Sequence, residues 1–237
     1  MGFSLEKVVP WGRSFEEYVE MFDLTAAELQ LRVLGCGDGP ACFNAVLTRR
    51  GGNIVSIDPI YAFAAEQIKK RIADTCETVL EQLQRNQSDY VWEKIGSVHE
   101  LGQLRMEAMQ IFLADFECGK NEGRYVAGEL PSLPFADQSF DLALSSHFLF
   151  LYADHFSAGF HRQAIGEMLR VAGEVRIFPV LTLDGKPSPY LEEIMEYFSN
   201  LRHSVSLHKV GYEFQRGGNE MLQIKRVAAD KCGNLSL

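Results

Sequence analysis

Apolar residues along the chain fall into short runs that alternate with stretches spaced for helices, and this alternation predicts an α/β sheet protein. Leu31, Val33 and Leu34 form a first strand, and Ile54, Val55 and Ile57 a second. A third strand is expected to end at Gly128 and Glu129, a fourth to run from Asp141 to Ser145, and a fifth from Glu174 to Phe178. Two alternating segments, Ser204 to Lys209 and Glu220 to Lys225, flank Gly217-Gly218 and read as a closing β-hairpin. It follows a helix carrying Leu191, Ile194, Met195 and Phe198 on one face. Before the first strand, Ser14 and Glu17 have the spacing of a capping box, and Phe15, Tyr18, Val19 and Phe22 then share a helical face.

One connection is too long for its purpose. A crossover between parallel strands needs about a dozen residues, yet Pro59 to Gly123 carries two helical patterns. Ala64, Ile68, Ile72, Val79 and Leu83 make one stripe, and Leu101, Leu104, Ala108 and Phe112 the other, with Gln84 to Gly96 between them. Such an added layer at the carboxyl edge of the sheet serves as a substrate lid, as a homodimer surface, or as an elongated crossover and nothing more.

Candidate chemistry concentrates between Arg32 and Tyr61 (RVLGCGDGPACFNAVLTRRGGNIVSIDPIY). The first strand runs into a glycine turn (Gly35, Gly37, Gly39), a helix follows, and the second strand delivers Asp58. Glycines there let a ligand approach the backbone, the helix start presents unpaired N–H groups, and an acid ending the second strand accepts from ribose hydroxyls. The unit reads as an adenosine site. A dinucleotide fingerprint would need a third glycine, and Pro40 or Cys42 stands there, which disfavours a nicotinamide-dependent oxidoreductase.

The turn fits the glycine-rich first motif of class I S-adenosylmethionine-dependent methyltransferases, and the chain resembles that family, in its type 11-like form. The resemblance continues in GELPSLPFADQSFDLALSSHFLFLY (Gly128 to Tyr152) and in EMLRVAGEVRIFPV (Glu167 to Val180), so it covers most of Leu31 to Val180 in order. It implies a Rossmann-like, seven-stranded, mostly parallel sheet with an antiparallel last strand pair, an N-terminal helical cap over residues 1–30 and a helical insertion over 59–123, all in one domain of residues 1–237. It implies S-adenosylmethionine as cofactor, held by Gly35, Cys36, Gly37, Asp38 and Gly39 of the turn, by Asp58 and Pro59, by Glu129 and Leu130 at the adenine, and by Ser145 and Ser146 at the fourth strand's end. Arg13 and Tyr18 of the cap are candidates for its carboxylate or adenosine end, or for packing alone. His147 is the candidate general base, with a structural or cofactor-contacting role as the alternative, and Tyr152, Asp154 and His155 follow it as weaker candidates.

Two departures from the family pattern stand out. The acid usual at the first strand's end falls on Val33 or Gly35, leaving Asp38 as a substitute, and the usual PGG turn before the fifth strand is shortened to Ala172-Gly173.

Composition narrows the function further. A formal charge of −9 argues against a nucleic-acid footprint, and the short basic groups Lys69 to Arg71 and Arg49-Arg50 read as solvated helix faces. The five cysteines (Cys36, Cys42, Cys76, Cys118, Cys232) have no metal-ligand spacing, so no metal is expected, and Cys36 reads as a small residue fitting the turn. Glu6 stands where a myristoylation signal beginning at Met1-Gly2 would need Ser or Thr. No apolar leader or membrane-length run is evident, and a cytoplasmic protein is expected. The resulting expectation is methyl transfer to a small-molecule acceptor, with a non-catalytic cofactor-binding sensor or partner subunit as the alternative.

Overall fold

The computed structural model describes residues 10–227; the readings on Met1-Gly2, Glu6 and Cys232 lie outside the described residues. Its centre is a seven-stranded sheet built from β1 (Arg32–Cys36), β2 (Asn53–Ile57), β3 (Tyr125–Val126), β4 (Phe140–Ser146), β5 (Ala172–Phe178), β6 (Ser204–Lys209) and β7 (Glu220–Lys225). The order is β3-β2-β1-β4-β5-β7-β6. Strands β1 to β5 are parallel, and β7 inserts antiparallel between β5 and β6. This is the strand order and the reversed strand of the class I methyltransferase fold. The chain direction of winding switches at β1, and in open α/β sheets the crevice beyond such a switch point receives ligands.

The parallel strands are apolar on both faces, as a sheet covered by helices requires. One cluster joins Leu34, Ala143, Val175 and Ile177 to the helices α5 (Ala158–Val171) and α6 (Leu191–Asn200). The other joins Val33, Ile54, Leu142 and Leu144 to α1 (Phe15–Met21) and α2 (Phe43–Arg49). Helix α1 starts as its capping box predicts: Ser14 Oγ accepts from Glu17 N–H, and the Glu17 carboxylate accepts from Ser14 N–H at 2.8 Å. Phe15 and Tyr18 of α1 stack on Phe43 of α2, at 5.4 and 4.6 Å between ring centres.

Pro59 to Gly123 folds into two long helices, α3 (Ala65–Arg85) and α4 (Val98–Asn121). They run antiparallel: Ala65 N–H meets the Glu117 carboxylate, while Gly102 faces Leu80. Ile68, Ile72, Thr75, Val79 and Leu83 of α3 are all buried within the chain. Phe112 and Phe116 of α4 close a third cluster with Tyr61 and Tyr125, each such ring contributing roughly 1.5–3 kcal/mol on burial.

Several boundaries differ from the sequence pattern. Strand β3 ends at Val126, before the expected Gly128-Glu129, because it pairs only along Ser56 and Ile57 of β2. No turn separates α5 from β5: the helix ends at Val171 and Ala172-Gly173 already pair as strand. Ala64 precedes α3 and is exposed, and Leu104 is half-buried, while the neighbouring Arg105 is fully buried. That burial has a partner, since Arg105 forks onto the buried Glu17 carboxylate of α1, with one bond at 2.6 Å and Tyr212 Oη donating to the same carboxylate at 2.9 Å.

Candidate functional site

A cavity of about 870 Å³ opens at the carboxyl ends of β1, β2, β3 and β4, roofed by α3 and by the segment leading into α1. That volume lies toward the upper end of the ~300–1,000 Å³ usual for small-molecule sites.

The floor is the turn after β1. Gly37 (φ +71°) and Gly39 (φ +54°) both take the left-handed backbone that residues with a Cβ resist. Gly37 N–H donates to the Ile57 carbonyl at 2.9 Å, and Gly39 N–H to Asp58 Oδ2 at 2.8 Å. Asp58 Oδ1 meanwhile accepts from Ile60 N–H at 2.9 Å, capping the short turn that Pro59 begins. Asp58 therefore ties the end of β2 to the glycine turn and still faces the cavity.

Asp38 lies at the first of the two departures noted in the sequence. Its carboxylate folds back over Gly35, where a Cβ on that residue would lie only 1.8 Å from Asp38 Oδ2. The hydroxyl of Ser56 donates to Oδ2 at 2.6 Å and that of Tyr18 to Oδ1 at 2.9 Å. Glycine at 35 is thus required to admit the Asp38 carboxylate. Val33, the other register, packs into the core.

Two buried carboxylates side by side resist ionisation. For Asp38, burial raises the pKa, the Ser56 and Tyr18 hydroxyls oppose it, and Asp58 adds to the rise, leaving it at about 6. For Asp58, burial again raises it, the Ile60 and Gly39 amides oppose, and Glu129 adds to the rise, leaving it also at about 6.

Gly128, Glu129 and Leu130 form a side wall, where Glu129 C=O accepts from Ser132 N–H at 3.2 Å. At the tip of β4, Ser146 and His147 face in. His147 takes a left-handed backbone (φ +52°), uncommon outside glycine, held by its N–H on the Phe178 carbonyl at 2.7 Å and by Ser146 Oγ 2.9 Å from its Nδ1. Burial, then the charges of Arg13 and Arg105, push its pKa well below the ordinary 6.5, so the ring is neutral at physiological pH and a weak base. Arg13 is also on the wall. Its guanidinium donates to the Trp11 carbonyl at 2.9 Å, its Nε is buried with no hydrogen-bond partner, and among the described residues no carboxylate lies within ion-pair distance.

Of the residues singled out in the sequence, Arg13, Tyr18, Gly37, Asp38, Gly39, Asp58, Pro59, Glu129, Leu130, Ser146, His147 and Tyr152 thus converge on one cavity. Asp154 and His155 are not on its wall, and three of the cofactor candidates do not reach it. The Gly35 side-chain space is taken by Asp38, Cys36 points into the core, and Ser145, fully buried on β4, is directed away. All three lie within strands, short of the turns that follow β1 and β4 and line the cavity. Tyr18 touches the site through Asp38, since its ring is packed between Phe22 and Phe43. Sequence reading missed Tyr90, Phe214 and Gln215, which meet through the antiparallel bridge Tyr90–Gln215 and line the far side. Nothing local in either segment signals that pairing.

No family model matches the chain. A protein of Methanocaldococcus jannaschii, the uncharacterized protein MJ0045, is 34% identical over 226 residues, covering 94% of this chain and 98% of its own. The chain belongs to its family. Among solved structures, the PH0226 protein of Pyrococcus horikoshii OT3 superposes with a TM-score of 0.47 at 12% identity, over 90% of this chain and 91% of that one. Magnesium protoporphyrin IX methyltransferase (ChlM) of Synechocystis PCC 6803 gives 0.46 at 11%, over 90% and 81%. A TehB-like SAM-dependent methyltransferase of Corynebacterium glutamicum gives 0.47 at 12%, over 90% and 88%. Likeness at this level decides nothing about ligands, which are argued from the chain's own cavity. Among the described residues, no helix is long and apolar enough to cross a membrane.

Proposed function

We propose that the chain binds S-adenosylmethionine and transfers its methyl group to a small-molecule acceptor. The observation that carries this reading is the meeting, at the switch point of the sheet, of the left-handed glycine turn, two carboxylates and the Glu129-Leu130 wall around one cavity. In this reading Asp58 accepts from ribose hydroxyls, Glu129 and the Leu130 backbone meet the adenine edge, and Asp38 accepts from an ammonium group. Bound there, the cofactor supplies a methyl group on a sulfonium, a leaving group already activated. The protein's task is then alignment, exclusion of water and, for some acceptors, removal of a proton. His147 sits at the tip of β4 with a lone pair and no charge, suited to accept a hydrogen bond more than to hold a proton.

Calorimetric titration with S-adenosylhomocysteine, with reduced nicotinamide dinucleotide as control, tests the reading. Micromolar affinity for the former alone is expected, and no binding at millimolar ligand would sink it. The lack of an acid at the end of the first strand motivates a second reading, a cofactor-binding protein without turnover. Tight cofactor binding combined with no methyl transfer across a broad acceptor panel would favour that alternative.

A further inference from the structure

The cavity is long. Ile68 and Leu83, both on its wall, are separated by roughly 22 Å of α3 at ~1.5 Å per residue. Its two ends are held by different parts of the fold. At the start of α3, Ile68 packs with Tyr61, whose hydroxyl donates to the Gly39 carbonyl at 2.7 Å, and Gly39 N–H in turn donates to Asp58, so the glycine turn and that carboxylate lie at this end. At the close of α3, Val79 and Leu83 share a cluster with Tyr90 and Phe214. Trp11 packs against both clusters and so lies between the ends.

Two loops that clasp each other close the far end. Tyr90 stacks on Phe214 at 4.8 Å, Val91 N–H donates to the Phe214 carbonyl at 2.7 Å, and Arg216 N–H donates to the Asp89 carbonyl at 2.9 Å. Gln215 beside them spends its amide N–H groups on the Thr182 and Leu183 carbonyls, at 3.1 and 3.2 Å. Aromatic rings occur at the other end too, where Phe148 lies over Gly37. What sets the far end apart is the group Val79, Leu83, Tyr90 and Phe214, all uncharged and each at most 7% exposed. A ligand group that reaches them leaves water for apolar surface, and the wall it meets is fixed by backbone hydrogen bonds.

We propose that the methyl acceptor is an elongated molecule with an apolar tail, the tail resting on Val79 and Leu83 and its length limited by the Tyr90–Phe214 pair. The assignment rests on the glycine end being the cofactor site. Tyr90 and Phe214 then determine specificity by length, while the polar head that takes the methyl group is left toward the cofactor. The test titrates the S-adenosylhomocysteine-saturated protein with 4-alkylphenols from methyl to octyl, and with 4-(4-hydroxyphenyl)butanoate, whose tail ends in a charge.

Affinity is expected to rise about fourfold per added methylene up to a limiting length and to stop rising beyond it. The charged tail is expected to bind at least about tenfold more weakly than 4-butylphenol. Tyr90→Ala and Phe214→Ala should each move the limit to longer chains, and Val79→Phe to shorter ones. Tyr90→Leu and Phe214→Leu take the place of the alanine variants if those fold poorly. Four results would overturn the proposal: affinity that does not rise with chain length, a charged tail bound as tightly as butyl, a limit unmoved by every variant, or phenols displaced by S-adenosylhomocysteine, which would put the tail in the cofactor's place. A protein that ignores S-adenosylhomocysteine refutes the cofactor reading alone, because the chain-length limit and its movement in the variants are read equally well without that ligand.

Discussion

Cofactor affinity should depend on pH in a way set by Asp38 and Asp58. Burial, Asp58 acting on Asp38, and Glu129 acting on Asp58 hold both carboxylates at about 6, above the ordinary 3.8. An acid whose folded pKa is raised loses stability as pH rises: the unfolded chain ionises from 3.8 upward while the folded one still holds its proton, until about 6. Each group therefore costs the free protein up to roughly 3 kcal/mol at neutral pH relative to acid conditions. A ligand that presents an ammonium group and ribose hydroxyls needs these acceptors ionised, and binding below pH 6 must expel their protons. At about pH 5 each carboxylate is protonated roughly ten to one, so each lowers affinity about tenfold relative to about pH 7.5, and the two together about a hundredfold.

The ligand's own carboxyl and amino groups lie outside this window. Isothermal titration with S-adenosylhomocysteine across it, in buffers of different ionisation enthalpy, reads both the affinity and the protons released. Asp58→Asn and Asp38→Asn should each remove about one tenfold step of the dependence. An affinity constant within about twofold between those pH values, with the fold intact by circular dichroism, would refute the linkage, as would a dependence surviving in the double variant.

Three further outcomes follow from neighbouring contacts. Gly35→Ala puts a Cβ 1.8 Å from Asp38 Oδ2, so it should displace the carboxylate, cost about 1–3 kcal/mol in urea unfolding and weaken S-adenosylhomocysteine; a stable variant with wild-type affinity would remove Asp38 from the site. Tyr18→Phe deletes a 2.9 Å bond to that carboxylate, so it should cost about 1.5–3 kcal/mol and shift the pH dependence of binding upward, as titration of the variant would show. Burial alone would raise the Glu17 pKa, but Arg105 and then Arg13 hold it at about 2, so its stabilising effect is present above 4.5 and is lost as pH falls toward 2. Arg105→Met should therefore cost about 3–5 kcal/mol at neutral pH, most of it recovered in the double variant with Glu17→Met, as chemical denaturation would measure.

The parts of this molecule that follow a repeat were legible in its sequence. The hairpin strands Ser204–Lys209 and Glu220–Lys225 have the boundaries their alternation predicts, and Ser14 with Glu17 forms the predicted capping box. Asp58 was legible because strand, glycine turn and helix recur at known spacing around it. What remained hidden are interactions with long sequence separation and no period. The pairing of Arg105 with Glu17 is one of them, since nothing local shows that α4 brings one against the other across 88 residues. The return of Asp38 over Gly35 was equally hidden, because a GxGxG run has the same pattern whichever way the intervening side chains fold. Tyr90 and Phe214 meet across a bridge that neither segment encodes by itself.

The hidden contacts also explain how the cavity is held together. An acid on the first strand would be placed by the sheet alone, through the register of β1 with β2 and β4. Moved onto the turn, Asp38 needs the Tyr18 hydroxyl from α1 and the Ser56 hydroxyl from β2 to hold its carboxylate over Gly35. Tyr18 is in turn fixed by its stacking on Phe43, and α1 is fixed by Glu17, whose carboxylate is shared by Arg105 of α4 and by Tyr212 from the segment before β7. Arg13, two residues before the first turn of α1, is carried by the same anchor. An acid held in this way makes the proposed cofactor site depend on the N-terminal cap and on the insertion, not only on the sheet. Loosening α1 should release Asp38 and Arg13 together from the cavity wall, so the helix that closes the site is also the part of the fold that completes it.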